Sequence, residues 1–320
     1  MKKKISKWLS ILLPILLGLF LIVYTYEKFT PEQIIEIKGY FKNADYSYIY
    51  IGLIVAFLGN ASRAYRWKFA LEQMGYSTSF YNNFMAVNIG YLLNLTVPKS
   101  GEISRAVILK KYENVPFDKG FGSIVAERII DMIVLLLFMM LAVFLQFDIV
   151  KTFILDKIPL KKLFYLVVLI VLLFIILLRT YLYSGKKWVL TLKEKVSGLK
   201  EGFLSILNIK NKAAYFFHTA FIWFSYLFTF YITLFVIPQT SNLSVGAIMT
   251  AFVVGSVAIS FTNSGLGSYP FLISKILLFY SISETAGNAF GWIVWSSQML
   301  LVLIIGVLSF LFLPIFNSSK

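Results

Sequence analysis

The chain has 320 residues, of which 59% are hydrophobic and only 14% charged, with a formal net charge of +15, a single histidine and no cysteine. A soluble domain carries about 25% charged residues, so this composition, with a mean hydropathy of +0.79, excludes an ordinary soluble enzyme and identifies an integral membrane protein with room for one polytopic domain. Disulfide and thiol chemistry are excluded, and the basic residues lie between apolar runs, where they orient spans and meet anionic headgroups rather than nucleic acid.

Lys2, Lys3, Lys4 and Lys7 precede an apolar run from Trp8 to Val23. Bulky, polar Tyr24-Thr25-Tyr26-Glu27 follows in place of a small-residue cleavage site, so the run is expected as an uncleaved first span with a cytoplasmic N-terminus. Segment 26–45 holds three basic and four acidic residues, which suits the outside. A second span is expected over Tyr46–Ala61. At its inner end Arg63, Arg66 and Trp67 share one helix face at i, i+3 and i+4. They read either as a positive-inside anchor with an interfacial tryptophan or as a clamp for a headgroup phosphate.

The stretch from Phe80 to Pro98 is apolar but carries Asn88, Gly90 and Asn94, breaks at Pro98, and leads into a turn with Lys99, Gly101, Glu102 and Arg105. Unpaired polar groups in hydrocarbon cost several kcal/mol each, by order of magnitude, so this segment does not face lipid. Basic residues flank it on both sides, which places both ends inside and predicts a re-entrant hairpin. A span over Phe121–Phe147 follows and carries Glu127, Arg128 and Asp131 near its start, at spacings that allow a local ion-pair cluster. These three are either a structural lock or functional charges.

The loop 148–162 is expected outside, followed by a span over Leu163–Leu178. Segment 179–212 has eight basic and two acidic residues and reads as a cytoplasmic amphipathic linker, about 184–212, on the anionic inner leaflet. Ala213–Ile237 is expected to span outward, with His218 as a structural histidine near its start. Val245–Phe261 then breaks at Thr262–Pro270, which contains Asn263, Gly265 and Gly267. Phe271–Ser281 is a short apolar segment holding Lys275, and Ala286–Phe312 is the final span.

Two segments have similar layouts. Ala86-x-x-x-Gly90 runs to the turn at Pro98 and Gly101, and Ala251-x-x-x-Gly255 runs to the turn at Asn263, Gly265 and Gly267. Interrupted apolar segments at matching positions of two halves mark binding sites in transporters, although small residues at this spacing also serve helix packing. The expected fold is an all-α polytopic bundle forming one domain over 1–320, with about six full spans, two re-entrant elements in inverted halves, and both termini inside. Eight plain spans is the alternative. A helix restarting near Ser100 or Gly101, with Lys99 and Arg105 beside it, suits a phosphate, and Glu102 reaches Arg105 at i, i+3. Gly265 and Gly267 leave room for close backbone approach. There is no nucleophile–base set, Walker loop or metal-ligand spacing, so no metal or other cofactor is expected, and an ATP-driven pump is disfavoured.

Arg63-x-x-Arg66-Trp67, the run Asn88 to Asn94, Pro98-x-x-Gly101-Glu102-x-x-Arg105, Glu127-Arg128-x-x-Asp131 and Gly265-Leu266-Gly267 occur in this order. Together they make the chain resemble the flippase-like membrane domain of lysylphosphatidylglycerol synthases, in a stand-alone form without the aminoacyl-transferring domain. The resemblance implies a lipid flippase-like transporter of the cytoplasmic membrane, moving an anionic, aminoacylated or glycosylated lipid between leaflets. Arg63, Arg66, Asn88, Asn94, Pro98, Lys99, Gly101, Glu102, Arg105, Asn263, Gly265 and Gly267 are the candidate substrate residues. Glu127, Arg128 and Asp131 are candidate structural or coupling ion pairs. The implied partners are anionic or polyprenyl-linked membrane lipids, with further copies of the chain or envelope-biosynthesis enzymes as protein partners. The family usually carries a proline near Asn263, a glycine near Ser264 and an acidic residue near Pro270. If that acidic residue couples transport to ions, its absence here bears on the coupling. The alternatives are a membrane enzyme using Glu102, Glu127 or Asp131 as acid or base on a lipid-linked substrate, and a non-transporting partner in envelope biosynthesis.

Overall fold

A computed structural model describes residues 2–147 and 209–318, with isolated positions between 172 and 183. The expected loop 148–162, the span Leu163–Leu178 apart from those isolated positions, and nearly all of the linker 184–212 lie outside the described residues. Within the described residues the regular structure is entirely helical: α1 (Lys2–Lys28), α2 (Pro31–Asn43), α3 (Ser47–Gln73), α4 (Phe80–Thr96), α5 (Ser100–Tyr112), α6 (Phe117–Leu145), α7 (Lys212–Thr233), α8 (Val245–Phe261), α9 (Ser268–Leu278) and α10 (Glu284–Phe316). Short 3₁₀ turns at Leu234–Val236 and Pro238–Thr240 follow α7.

Among the described residues three helices are long and apolar enough to cross a membrane: α6, α7 with its 3₁₀ extension to Val236, and α10. They carry the expected spans Phe121–Phe147, Ala213–Ile237 and Ala286–Phe312. Their exposed residues are large and apolar, including Leu137, Met140 and Phe144 on α6 and Leu308, Phe310 and Leu311 on α10. Such a surface is stable against acyl chains and unfavourable against water. α3 is as long as a span, with 27 residues, but its C-terminal half carries Arg63 and Arg66, both buried against other helices.

The two interrupted segments fold as helical hairpins. In the first, α4 turns at Val97-Pro98-Lys99 into α5. Lys99 takes a left-handed φ of 63°, and the Ser100 hydroxyl donates to the carbonyls of Val97 (2.7 Å) and Leu93 (3.0 Å). The arms touch at glycine: a Cβ on Gly101 would lie 2.2 Å from the Gly90 carbonyl oxygen. In the second, α8 turns through Thr262–Gly267 into α9, with positive φ at Ser264, Gly265 and Gly267. A Cβ on Gly255 would lie 2.7 Å from the Tyr269 ring. The arms have 17 and 13 residues in the first hairpin and 17 and 11 in the second, each below the ~20 residues needed to cross the hydrocarbon core.

α10 fixes how the hairpins are oriented. Near its start, Gly287 packs on Ser274 and Gly291 on Pro270, so α9 runs antiparallel to it. In its middle, the Trp295 indole N–H donates to the Ser264 carbonyl at the second turn, 2.8 Å. Further along, Gly306 packs on Asn88 and Leu92, and Asn317 exchanges hydrogen bonds with Asn82 at the start of α4, 2.8 and 2.9 Å. The second hairpin therefore has its base at the N-terminal end of α10 and the first has its base at the C-terminal end. They approach from opposite ends of a helix about 50 Å long and meet turn to turn: Asn263 Nδ2 donates to the Leu95 carbonyl at 2.8 Å and the Ser264 hydroxyl approaches the Asn94 carbonyl at 3.4 Å. α1 braces the second turn, where a Cβ on Gly267 would lie 2.3 Å from the Gly18 carbonyl oxygen. One apolar core cluster, centred on Trp67, Leu71, Ile89 and Leu109, surrounds the first hairpin, and another, with Phe252, Ile273 and Phe290, surrounds the second.

Candidate functional site

α3 packs antiparallel along α7, with Gly52 against Thr229 and Gly59 against Ser225. One face of α3 beyond this contact carries Arg63, Arg66 and Trp67 towards α5 and α6. All three are buried, Arg66 completely at 0% exposure. α5 contributes Arg105 to the same place. Gly90 makes room for it, since a Cβ there would lie 3.1 Å from Arg105 Cγ. α6 contributes Glu127 and Asp131.

The charges pair between helices. Arg105 grips Glu127 with two nitrogens, at 3.0 and 3.3 Å. Arg63 binds Glu127 by a short contact and Asp131 at 2.7 Å. Arg66 binds the other Asp131 oxygen at 3.1 Å and lies 3.6 Å from Glu127. α7 completes the shell: Arg66 donates to the Thr219 hydroxyl and Arg63 to the Tyr226 hydroxyl, each at 3.1 Å. The Arg105 guanidinium lies over the Trp67 ring at 4.1 Å, and the Trp67 N–H donates to Ser123 at 2.9 Å. A buried charge left without its partner costs about 3–5 kcal/mol, so this network ties four helices together as one unit.

At the rim, Arg128 pairs with Glu102 at 3.1 Å and reaches Asp131 only at 3.9 Å. Their side chains are 38% and 21% exposed, whereas the five inner charges are buried. Four arginines thus meet three carboxylates. The Nε atoms of Arg63, Arg66, Arg105 and Arg128 and one Glu102 oxygen have no hydrogen-bond partner among the described residues.

The sequence-predicted residues fall into two adjoining places. Arg63, Arg66, Glu102, Arg105, Glu127, Arg128 and Asp131 make up the charged cluster. Asn94, Pro98, Lys99, Gly101, Asn263, Gly265 and Gly267 lie at the two turns. Gly101 and Arg105 are one helical turn apart on α5, about 6 Å, so the places are contiguous. Asn88 lies buried on α4, accepting from Asn60 at 3.2 Å and donating to the Phe84 carbonyl at 2.9 Å.

Three details differ from the sequence-based expectation. Glu102 and Arg105 do not pair at i, i+3, because Arg105 turns inward over Trp67 to Glu127 while Glu102 turns to Arg128. Glu127 and Asp131 are held chiefly by arginines from α3 and α5 rather than by the neighbouring Arg128. The start of α5 is partly occupied from within: the Gly101 N–H donates to the Asn94 side-chain oxygen at 2.8 Å and the Ser100 N–H to the Val97 carbonyl at 3.1 Å. Thr219, Tyr226 and Trp295 gave no signal in the sequence, because each stands in an apolar, aromatic-rich helix where its hydroxyl or N–H looks incidental. His218 meets the Ser62 hydroxyl at 2.8 Å and packs against Tyr65 at 5.0 Å, a structural setting. Among the described residues no group of three His, Asp or Glu side chains is arranged to hold a metal ion.

The fold and site define an integral membrane protein with two opposed helical hairpins meeting beside a buried network of arginines and carboxylates. The sequence description of the lysylphosphatidylglycerol synthase TM region matches residues 11–314, and the chain belongs to that family. It is similar to the UPF0104 membrane protein MJ1595 of Methanocaldococcus jannaschii, 33% identical over 99 residues, which is 30% of each chain. It is also similar to the UPF0104 membrane protein PH1989 of Pyrococcus horikoshii, 31% identical over 103 residues and 31% of each chain. The glycosyltransferase AglD of Haloferax volcanii is 23% identical over 133 residues, covering 41% of this chain and 21% of that protein. The matches therefore span less than a third of each of these relatives. No solved structure matches the chain.

Proposed function

We propose that the protein is a lipid flippase-like transporter, moving an anionic lipid between the leaflets of the cytoplasmic membrane. The carrying observation is the meeting of the two hairpin turns, from opposite ends of α10, next to an arginine-rich cluster. Opposed broken elements that meet near mid-depth are the arrangement from which transporters open a central site alternately to either side. The turns touch through two side-chain hydrogen bonds to carbonyls, each worth about 1 kcal/mol net, so separating them is cheap relative to breaking the charged cluster. Family membership supports a lipid as substrate, since its name refers to a lipid synthase. In this reading residues 1–320 act as one membrane domain, both termini are cytoplasmic, and the lipid carries a phosphate or is polyprenyl-linked.

The test is reconstitution of the full chain into liposomes holding a fluorescent phosphatidylglycerol in one leaflet, followed by a membrane-impermeant quencher. Transport appears as growth of the protected or accessible fraction with protein. No movement of phosphatidylglycerol or of polyprenyl phosphate above protein-free liposomes contradicts the proposal.

The likeness to a protein named as a glycosyltransferase favours a second reading, in which the membrane domain presents a lipid-linked substrate to an enzyme. It predicts lipid binding without leaflet exchange, and the same liposome assay separates the two.

A further inference from the structure

Among the described residues the inner five charges leave one positive charge in excess, and adding the Arg128–Glu102 pair does not change that balance. Inside a low-dielectric network an unmatched charge favours uptake of one further anion. Arg63, Arg66 and Arg105 are buried to within about 2% of complete, and each keeps an Nε–H without a partner among the described residues. The cluster is therefore short of one acceptor group.

The exposed rim is where such a group would enter. Glu102 and Arg128 are its two partly exposed members, and they hold each other by one close contact, with one Glu102 oxygen and the Arg128 Nε buried and without a partner among the described residues. A partly exposed pair held by one contact is easier to open than the inner pairs, which are costly to break. Glu102 also lies in the first turn of α5, where the helix dipole favours a negative group. Its carboxylate thus occupies a position suited to a phosphate oxygen, opposite an arginine whose fork binds phosphate as readily as carboxylate.

We propose that the Glu102–Arg128 pair is an exchange site: Glu102 holds Arg128 while the site is empty, and the singly charged phosphodiester of an anionic lipid headgroup displaces it. Glu102 then swings to the exposed side and Arg128 carries the phosphate, so one negative charge replaces another and the excess positive charge continues to favour an anion at the site. A zwitterionic headgroup brings a cation that the arginines repel. A carboxylate that is the ligand's competitor has a distinctive signature, because removing it improves binding.

The proposal shares its lipid ligand with the transport reading, but its test is a binding measurement. The full chain is purified in detergent and titrated with phosphatidylglycerol and with phosphatidylcholine, bound lipids being counted by native mass spectrometry, with inorganic phosphate as competitor. Wild type is expected to prefer phosphatidylglycerol. Glu102→Gln tightens phosphatidylglycerol binding about tenfold, Arg128→Gln weakens it about tenfold, and the double variant behaves like Arg128→Gln. Should Glu102→Gln fail to fold, Glu102→Asp, which keeps the charge but shortens its reach to Arg128, carries the test through the same tightening. Unchanged or weaker phosphatidylglycerol binding in the folded Glu102 variant overturns the exchange site. So does equal affinity for phosphatidylcholine, or displacement by inorganic phosphate at lipid-like concentrations. Leaflet exchange in liposomes without the Glu102 effect removes the exchange site and leaves transport standing, while the Glu102 effect without leaflet exchange removes transport alone.

Discussion

Arg105 and Glu127 face each other through two nitrogen–oxygen contacts of 3.0 and 3.3 Å, and both residues are only 2% exposed. The pair joins the second arm of the first hairpin to the long membrane helix α6, with the guanidinium held flat against Trp67. A lysine has the same charge but neither the fork nor the flat face. Arg105→Lys is therefore expected to keep the protein folded but lower its melting temperature by several degrees. Arg105→Gln removes the two-nitrogen contact while Glu127 keeps Arg63 and Arg66, and it is expected to lower the melting temperature further than Arg105→Lys, measured as loss of monodisperse protein on heating in detergent.

Gly101 allows the two arms of the first hairpin to touch. A Cβ there would lie 2.2 Å from the Gly90 carbonyl oxygen and 2.7 Å from the Asn94 side-chain nitrogen. Neither backbone can yield without opening the hairpin, so Gly101→Ala is expected to destabilise by about 1–3 kcal/mol or more. Gly39, in α2, has nothing within 4 Å of its would-be Cβ, and Gly39→Ala is expected to be neutral or slightly stabilising. Thermal unfolding of the two variants side by side checks the contrast. Equal behaviour would mean that the arms are further apart than described.

The turn-to-turn contact is open to cross-linking because the chain has no cysteine of its own. Leu95→Cys combined with Asn263→Cys places two thiols where the hydrogen bond now joins the hairpins. Oxidation in membranes is expected to link them and to arrest lipid movement, and reductant should restore it. Neither single variant should change its transport in response to oxidant or reductant. Full transport by the linked protein would show that the turns stay together through the cycle.

Much of this arrangement was legible in the sequence because membranes make polar residues expensive. Arg63, Arg105, Glu127 and Asp131 stand out in apolar surroundings, and Pro98, Gly265 and Gly267 mark the breaks. The partnerships were not legible. Sequence spacing offers Glu102 to Arg105 and Asp131 to Arg128, while the folded chain joins Arg63 to Asp131 across 68 positions, a choice made by how α3, α5 and α6 pack. Thr219 and Tyr226 could not be picked out of an aromatic-rich helix, since only the approach of Arg66 and Arg63 gives their hydroxyls a role. The opposed hairpins were suggested by two similar segments, but their relative orientation depends on the long contact path of α10, from Ser274 through Ser264 to Asn82.

The central claim is that the two hairpins enter from opposite sides and meet within the membrane. Single variants Lys111→Cys, at the base of the first hairpin, and Asn242→Cys, just before the second, place one thiol each at an exposed position. Labelling intact cells or sealed vesicles with a membrane-impermeant maleimide, before and after permeabilisation, reads the side of each. The account predicts opposite sides, with one thiol labelled in intact vesicles and the other only after permeabilisation. Labelling of both from the same side would contradict it.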